Sequence, residues 1–252
     1  MHRCSNWRRR CLRPIVWPGR TVSHHSQQWR SSVKDLVIFG TGAIAELADL
    51  YFREDADRRV AGFTVDAAYK TSDSLLGRPL VSFDEVEAAF SPDTHDLFVA
   101  VSYTGLNKLR RARVDAAQAK GYTIANYISS RATRFSTFVP AENQFILEDN
   151  TIQPFANIGR NVTLWSGNHI GHHSQIAEDT FIASHVVVSG SVNIGARCFV
   201  GVNVTIRDNV RVGADCVLGA GSLVLKDVPD GSVMSPGGSE ISKVPSSRLR
   251  HI

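Results

Sequence analysis

The sequence predicts two domains of different class, a small parallel α/β sheet followed by a coil of very short parallel strands. Between residues 33 and 130, apolar runs of strand length alternate with helical stretches, which is the pattern of a parallel sheet covered by helices. From residue 146 to residue 224, every sixth residue is Ile, Leu or Val. We therefore divide the chain into a basic tail (1–32), an α/β domain (33–130), a coil (131–240) and a C-terminal tail (241–252).

The distribution of charge argues against a nucleic-acid partner. The 252 residues are 43% hydrophobic and 21% charged with a formal net charge of +4, which is typical of a globular protein. Residues 1–32 hold seven arginines and no acidic residue, so residues 33–252 carry a net charge of −3. Because residues 33–252 have no excess of basic side chains, they lack the positive charge that is typical of a polyanion-binding protein. We expect the tail to be dispensable, either as a targeting segment or because the start site is placed too far upstream.

Cysteine usage and the length of the apolar runs predict the compartment. Only Cys198 and Cys216 lie outside the tail, and the sequence has no CxxC pair and no recognisable signal peptide. A reducing, cytoplasmic setting is therefore expected. The longest apolar runs span a few residues, whereas a membrane helix needs about 20, so we expect no membrane partner.

The period of six predicts a triangular coil. Helices repeat every 3.6 residues and amphipathic strands every two, so neither fits. A short strand followed by a corner fits, and three such repeats close one coil; the fourteen repeats make between four and five coils. The aliphatic residue and a mostly small residue four positions later point inward, so Cys198 and Cys216 are expected to be stacked core thiols. Glycine recurs directly after the aliphatic residue, where we expect it to relieve the dihedral demands of the corner.

The α/β domain begins with a glycine-rich turn that is suited to binding a phosphate. The apolar strand at residues 35–39 is followed by Gly40-Thr41-Gly42-Ala43-Ile44-Ala45 and a helical stretch, which places backbone N–H groups at a helix N terminus. Asp66, at the end of the second predicted strand, stands where a ribose hydroxyl could be held. We predict Gly40, Gly42 and Asp66 as substrate-binding residues; the alternative is a tight turn that needs small residues only for packing. Strands are predicted at 35–39, 59–66, 96–101 and 122–128, and helices at 46–53, 82–90 and 106–120.

The clearest chemical signal is a group of histidines in the coil. Four of the nine histidines, namely His169, His172, His173 and His185, lie close together in the sequence. An outward side chain adds nothing to the core of such a coil, so core packing does not explain this group of histidines. An imidazole is suited to removing a proton at neutral pH. Gly190 lies three repeats after His172, so the coil stacks it on the same corner, where its N–H could reach an oxyanion.

The stretch Leu164-Trp165-Ser166-Gly167-Asn168-His169-Ile170-Gly171-His172-His173-Ser174, with the glycine-rich domain before it, resembles the NeuD/PglD-like sugar O-/N-acetyltransferases of the hexapeptide-repeat superfamily. The resemblance implies a left-handed parallel β-helix that transfers acetyl from acetyl-CoA to a hydroxyl or amine of a nucleotide-linked sugar in surface-glycan synthesis. It identifies His172 as the general base, with His173 where the family has an acidic residue. It further implies substrate contacts at Asn168 and His169, acetyl-CoA contacts at Phe181, Gly190, Val202 and Ala220, no metal, and a homotrimer.

Other functions stay open on the residues alone. A γ-type carbonic anhydrase would need a His-x4-His pair and a third histidine about two coils away, whereas the four histidines stand at spacings of 3, 1 and 12. A non-catalytic nucleotide-sugar-binding or scaffolding protein would show the same period. A nicotinamide oxidoreductase is disfavoured because no second catalytic constellation accompanies the glycine turn. The residues also leave open the acceptor sugar, O- versus N-acetylation and the acyl group.

Overall fold

An α/β layer and a coil follow one another along residues 33–238, the part of the chain that the computed structural model describes. The strands of the first sheet are β1 (Asp35–Phe39), β2 (Val60–Val65), β3 (Ser74–Leu75), β4 (Arg78–Ser82) and β5 (His95–Val99). The helices are α1 (Ala43–Glu54), α2 (Val86–Ala89) and α3 (Lys108–Ala119), with 3-10 turns at Ala67–Tyr69 and Phe83–Glu85. The strand order is β3-β4-β2-β1-β5, and all neighbours are parallel except β3 and β4.

The α/β prediction is confirmed for the strands β1, β2 and β5 and for the helices α1 and α3. The helix predicted at 82–90 is also present, as the 3-10 turn Phe83–Glu85 followed by α2. The pattern does not predict the hairpin of β3 and β4, because Gly77 and Pro79 interrupt it. The strand predicted at 122–128 is wrong. Only Ile124 forms a bridge to Leu97 of the sheet, whereas Tyr127–Ile128 leaves the sheet and pairs with the coil.

The coil is built from two-residue strands that lie on three faces. Face 1 holds β6 (Tyr127–Ile128), β8 (Phe145–Ile146), β11 (Thr163–Leu164), β14 (Phe181–Ile182), β17 (Phe199–Val200), β20 (Val217–Leu218) and β22 (Val233–Met234). Face 2 holds β7 (Thr133–Arg134), β9 (Thr151–Ile152), β12 (His169–Ile170), β15 (Val187–Val188), β18 (Thr205–Ile206) and β21 (Leu223–Val224). Face 3 holds β10 (Asn157–Ile158), β13 (Gln175–Ile176), β16 (Asn193–Ile194) and β19 (Arg211–Val212).

The strand register confirms that residues three repeats apart stack on one another. Leu164 pairs with Ile182, and Ile182 pairs with Val200, in parallel. The architecture is a left-handed β-helix, as the resemblance implies. The coil begins one turn earlier than the aliphatic series indicates, at β6, since Pro140 and Arg134 interrupt the series before Ile146.

The interior of the coil is filled by the two inward columns of the repeat. The aliphatic positions from Ile146 to Val224 and the small positions between them form one buried cluster, which includes Cys198 and Cys216. Burial of apolar surface at about 25 cal/mol per Å² is the main stabilising term for such a column. Asn150 and Asn168 replace the small residue in two successive coils, and the Asn150 Oδ1 accepts the Asn168 backbone N–H at 3.3 Å.

Where glycine follows the aliphatic residue, the structure gives a reason other than the one that the sequence suggests. The left-handed φ values fall two residues later, as at His173 (59°), Asp179 (60°) and His185 (58°). Gly171 and Gly201 instead lie against the next coil. A Cβ at Gly171 would lie 2.5 Å from the Ser189 carbonyl carbon. The dihedral expectation is therefore wrong, and the close approach of consecutive coils selects glycine.

Face 1 carries the α/β layer. Tyr127 and Phe145 of β6 and β8 pack against Phe52 and Phe98, with ring centroids 5.4 to 5.5 Å apart. Tyr127 also donates its hydroxyl hydrogen to Asp55 Oδ2 at 2.6 Å. The sheet and the coil therefore share one aromatic core, which fixes where the loops of the sheet stand relative to the corners of the coil.

We expect Gly201→Ala to lower the free energy of unfolding by about 1 to 3 kcal/mol, the usual cost of overpacking. The added Cβ would lie 2.6 Å from the Ala220 backbone nitrogen, an atom that the ladder of coils holds in place. Gly237→Ala is the matched control, since a Cβ there meets no atom within 4 Å. Urea denaturation measures both; equal stability of the two variants would contradict the close-approach explanation.

Candidate active site

Two adjacent histidines, His172 and His173, form an exposed corner between β12 on face 2 and β13 on face 3. The His173 ring lies 4.8 Å from the ring of Phe155, which is the corresponding corner residue of the preceding coil. The His172 backbone N–H donates to Gln153 Oε1 at 2.9 Å. The preceding coil therefore holds both residues of this corner in place.

The two imidazoles are in contact through their Nδ1 atoms, which lie 3.1 Å apart. One Nδ1 must donate and the other must accept. If His172 donates, its Nε2 keeps a lone pair and can accept a proton. His173 then holds that tautomer by accepting the hydrogen, the part that a carboxylate takes in many catalytic pairs.

Gly190 lies against His172, as the spacing of three repeats predicts. A Cβ at Gly190 would lie 2.7 Å from Cε1 and 2.8 Å from Nε2 of His172, so the imidazole fills the space that any side chain would need. The Gly190 N–H, however, donates to Asp208 Oδ1 at 2.7 Å. A carboxylate from the following coil therefore already accepts this hydrogen, and the contact of the Gly190 N–H with an oxyanion stays a prediction.

The other two histidines lie apart from this corner. His169 is the outward residue of β12 on face 2, between Thr151 and Val187 on the neighbouring strands. His185 lies on the corner between faces 1 and 2, where its Nδ1 would be 2.6 Å from a Cβ at Gly167. The histidines are thus close in sequence but occupy three positions on the coil, and only His172 and His173 touch.

Asn168 does not face a substrate. Asn168 lies inside the coil and is only 2% exposed. Its Oδ1 accepts the Val186 backbone N–H at 2.7 Å, and its Nδ2 donates to the Trp165 carbonyl oxygen. The predicted substrate contact at Asn168 is therefore wrong, because the side chain joins consecutive coils from within.

The glycine-rich turn opens into a cleft of about 540 Å³ in the α/β layer. Gly40 has a φ of 131°, and a Cβ there would lie 2.6 Å from the Ala100 carbonyl oxygen, so only glycine fits. A Cβ at Gly42 would meet no atom within 4 Å. Gly42 precedes α1, whose first N–H groups have no partner within the helix and are suited to an anion.

Asp66 stands in the same cleft as Gly40 and Gly42, as predicted. Its Oδ2 is paired with Arg113 Nη2 at 3.0 Å, and its side chain is 24% exposed. The exposed ring of Tyr69 and the hydroxyls of Ser102 and Thr104 complete one wall. The cleft therefore combines a helix N terminus, a carboxylate, hydroxyls and an aromatic ring, which suits a nucleotide.

The residues expected to contact acetyl-CoA are in two different environments. Phe181 is 4% exposed and packs on Tyr103 and Phe199, with ring centroids 5.0 and 5.8 Å away. The predicted CoA contact at Phe181 is wrong, since the β5–α3 loop covers the ring. Val202 and Ala220 are exposed and lie one coil apart on the corner between faces 1 and 2.

Comparison with known proteins agrees with this architecture. Residues 155–190 and 191–226 match the model for the bacterial transferase hexapeptide (six repeats). PerB from Caulobacter crescentus, in complex with CoA and GDP-perosamine, superposes with a TM-score of 0.71 at 25% identity, over 80% of this chain and 94% of that chain. Residues 155–226 are therefore hexapeptide repeats, and the chain has the fold of the sugar acetyltransferases.

A second hexapeptide-repeat neighbour is the acetyltransferase domain of PglB from Neisseria gonorrhoeae FA1090, with a TM-score of 0.71 at 21% identity over 80% of this chain and 96% of that domain. A third is WeeI from Acinetobacter baumannii AYE, with a TM-score of 0.59 at 17% identity over 79% of this chain and 95% of that chain. No curated protein sequence matches this chain.

The sequence analysis does not identify two residues that lie close to the predicted site residues. Asp208 lies three repeats after Gly190, so the same counting that found Gly190 would have placed it on the corner of His172. Tyr103 lies on the loop after β5, and nothing in the sequence indicates its contact with Phe181 and Phe199. Within residues 33–238, no group of three or more His, Cys, Asp or Glu side chains is arranged to hold a metal ion. In the same range, no helix is long and apolar enough to cross a membrane.

Cys198 and Cys216 should not react in the folded protein. Both are fully buried, and burial raises the pKa of the Cys198 thiol to about 12. Since the thiolate is the reactive form, a folded-state pKa this high keeps the thiol protonated at pH 8. For a Cys4→Ser/Cys11→Ser variant, we expect no reaction with Ellman's reagent before denaturation and two thiols per chain after it. Rapid labelling of the folded variant would contradict the burial.

Proposed function

We propose that this protein transfers an acetyl group from acetyl-CoA to a hydroxyl or amine of a nucleotide-linked sugar, with His172 as the general base, in the synthesis of surface glycans. The observation that carries the proposal is the His172–His173 pair on an exposed corner of the hexapeptide-repeat coil, with His172 against the bare backbone of Gly190. The pair leaves one imidazole nitrogen for proton transfer.

The α/β cleft is the proposed site for the nucleotide of the acceptor. PerB, which shares this fold, is described in complex with CoA and GDP-perosamine. In this chain, the N terminus of α1 would receive a phosphate, Asp66 a ribose hydroxyl, and Tyr69 a base or sugar ring. The Asp66 pair with Arg113 would hold the carboxylate in a fixed orientation.

The chemical step requires one mobile proton. His172 Nε2 takes the proton of the acceptor hydroxyl or amine as the freed oxygen or nitrogen forms a bond to the thioester carbonyl carbon. The C–S bond breaks, and the CoA sulfur receives the proton from His172. In the free protein, the Gly190 N–H already donates to the Asp208 carboxylate. The thioester carbonyl oxygen must therefore displace this carboxylate or accept a hydrogen bond from another donor.

The proposed site is completed by a second copy of the chain. Val202 and Ala220, the exposed residues proposed to contact CoA, lie on the corner between faces 1 and 2, whereas His172 lies on the corner between faces 2 and 3. One copy can place its corner between faces 1 and 2 beside the corner between faces 2 and 3 of a neighbour. This contact joins two different surfaces, and we propose that it repeats around a threefold axis to close a ring of three.

The direct test is an assay for thiol release with acetyl-CoA and UDP-, GDP- and dTDP-linked amino sugars, together with the hydroxyl counterpart of each. We expect thiol release with at least one acceptor, and a product heavier by one acetyl group in mass spectrometry. If none of the acceptors supports thiol release but sugar nucleotides bind tightly, the result would instead favour a non-catalytic binding protein.

We expect His172→Ala to lower kcat by roughly 10² to 10⁴, the usual contribution of a general base, while the fold is retained because the side chain is exposed. His173→Ala should cost less, since His173 only holds the tautomer. His173→Glu should keep activity and move the acidic limb of the kcat/KM profile to higher pH, because a carboxylate favours the protonated imidazole. Circular dichroism controls for folding. Full activity of folded His172→Ala would contradict the assignment and move attention to His169 or His185.

We expect the active protein to sediment as a homotrimer, because the proposed CoA and base residues lie on different corners of one chain. Sedimentation velocity at the assay concentration, with acetyl-CoA present, makes the measurement. A stable monomer with full activity would contradict the shared site.

A further inference from the structure

The corner between faces 2 and 3 carries a column of four residues, each of which stands two residues after its strand. The members of this column are His172, Gly190, Asp208 and Lys226, which follow β12, β15, β18 and β21. These strands pair in parallel and in register, so each member lies one coil from the next, about 4.8 Å along the axis. Asp208 therefore lies between Gly190 on one side and Lys226 on the other.

The Asp208 carboxylate has a partner on only one of these sides. Its Oδ1 accepts the Gly190 N–H at 2.7 Å. Lys226 lines the same cleft of about 690 Å³ as Asp208, yet it forms no ion pair with any residue of the described range 33–238. Both side chains are exposed, so both are free to change rotamer. The carboxylate therefore has two alternative partners, one of which it holds in this structure.

The bond to Asp208 withholds the proposed donor for the thioester oxygen. While the carboxylate accepts the Gly190 hydrogen, the carbonyl oxygen of acetyl-CoA cannot do so with good geometry. The negative charge of the carboxylate also repels the negative charge that develops on that oxygen in the transition state. A preorganised donor at this oxygen typically contributes about 10²- to 10³-fold to kcat, so masking it is costly for the reaction.

We propose that Asp208 is an autoinhibitory gate over the Gly190 N–H. The gate is closed in this structure, and it opens when the carboxylate turns to Lys226 and leaves the N–H to the thioester oxygen. The inference rests on the proposed function and adds regulation to its site. Acetyl-CoA favours the open conformation because its carbonyl oxygen takes the released N–H, so the co-substrate itself shifts the equilibrium. Opening changes hydrogen bonds only, and Asp208 neither gains nor loses a proton.

Two simpler roles for these residues make different predictions. If Asp208 only satisfies a corner N–H, its removal does not raise activity. Asp230 is the matched case, since its Oδ1 accepts the Ala214 N–H at 2.8 Å on the corner between faces 3 and 1, away from His172. If Lys226 binds an acidic group of a substrate directly, its contribution does not depend on Asp208.

The test is a double-mutant cycle of Asp208→Ala and Lys226→Gln, with Asp230→Ala as the control. We expect Asp208→Ala to raise kcat/KM for acetyl-CoA roughly 5- to 50-fold, because the competing hydrogen bond to a charged acceptor is gone. KM for the sugar nucleotide and the thermal unfolding midpoint should stay unchanged. Asp230→Ala should match the wild type in kcat/KM for acetyl-CoA.

The Lys226 arm of the cycle tests the open conformation. Lys226→Gln should lower kcat/KM for acetyl-CoA roughly 2- to 5-fold, the usual strength of an exposed ion pair, because the carboxylate then has no partner away from Gly190. In the Asp208→Ala background, the same substitution should have no effect. This loss of additivity is the signature of a lysine that acts through Asp208.

Two results would overturn the inference while leaving the acetyltransferase proposal intact. One is a folded Asp208→Ala variant whose kcat/KM for acetyl-CoA equals or falls below that of the wild type. The other is a Lys226→Gln substitution that costs as much in the Asp208→Ala background as in the wild type, which would make Lys226 a direct substrate contact. A wild type that releases no thiol with any acceptor contradicts the proposed function itself, so the two failures are distinct.

Discussion

The backbone ladder between consecutive coils is the constraint on which the rest of the molecule depends. Each strand pairs in parallel with the strand one coil later, so every residue lies against the residue three repeats further along. The ladder brings His172, Gly190 and Asp208 together although two full coils of chain separate the first from the last. It also explains the glycines after the aliphatic residue, because consecutive coils approach so closely there that a Cβ would enter the next backbone. The residues of a site on a corner are therefore neighbours along the axis of the coil, although they are far apart in the sequence.

A polar column on the corner between faces 3 and 1 ties the α/β layer to this ladder. Asn143 accepts the Val99 N–H at 2.8 Å and donates to Asn161 Oδ1 at 2.7 Å, so the end of β5 is joined to two coils. Arg110 of α3, fully buried, donates to the side chain and the carbonyl of Asn161 at 2.9 and 2.8 Å. Burial lowers the pKa of Arg110 to about 10, which still leaves it charged at neutral pH. Because β5 ends at the cleft, this column fixes the proposed nucleotide site relative to the coil.

The elements that repeat could be predicted from the sequence, and the elements that depend on contact between layers could not. The aliphatic period predicts the coil, its inward columns and the stacking of Gly190 on His172, since each follows from counting. The burial of Phe181 follows from the loop that carries Tyr103, and no local pattern indicates which face of the coil the α/β layer covers. Asn168 looks like a polar site residue, yet it replaces a small residue inside the coil and is satisfied there by the backbone. Counting repeats also places Asp208 on the corner of His172, but no sequence pattern indicates that its carboxylate accepts the Gly190 N–H.

The most direct measurement is a crystal structure of the protein with CoA and the sugar nucleotide that it acetylates fastest. We expect the nucleotide in the cleft of Gly40, Gly42 and Asp66, and the acceptor hydroxyl or amine beside His172. The acceptor oxygen or nitrogen should lie about 3 Å from His172 Nε2, as a hydrogen bond requires. An acceptor group placed beside His169 or His185, or a CoA thiol remote from the His172 corner, would contradict the proposed site.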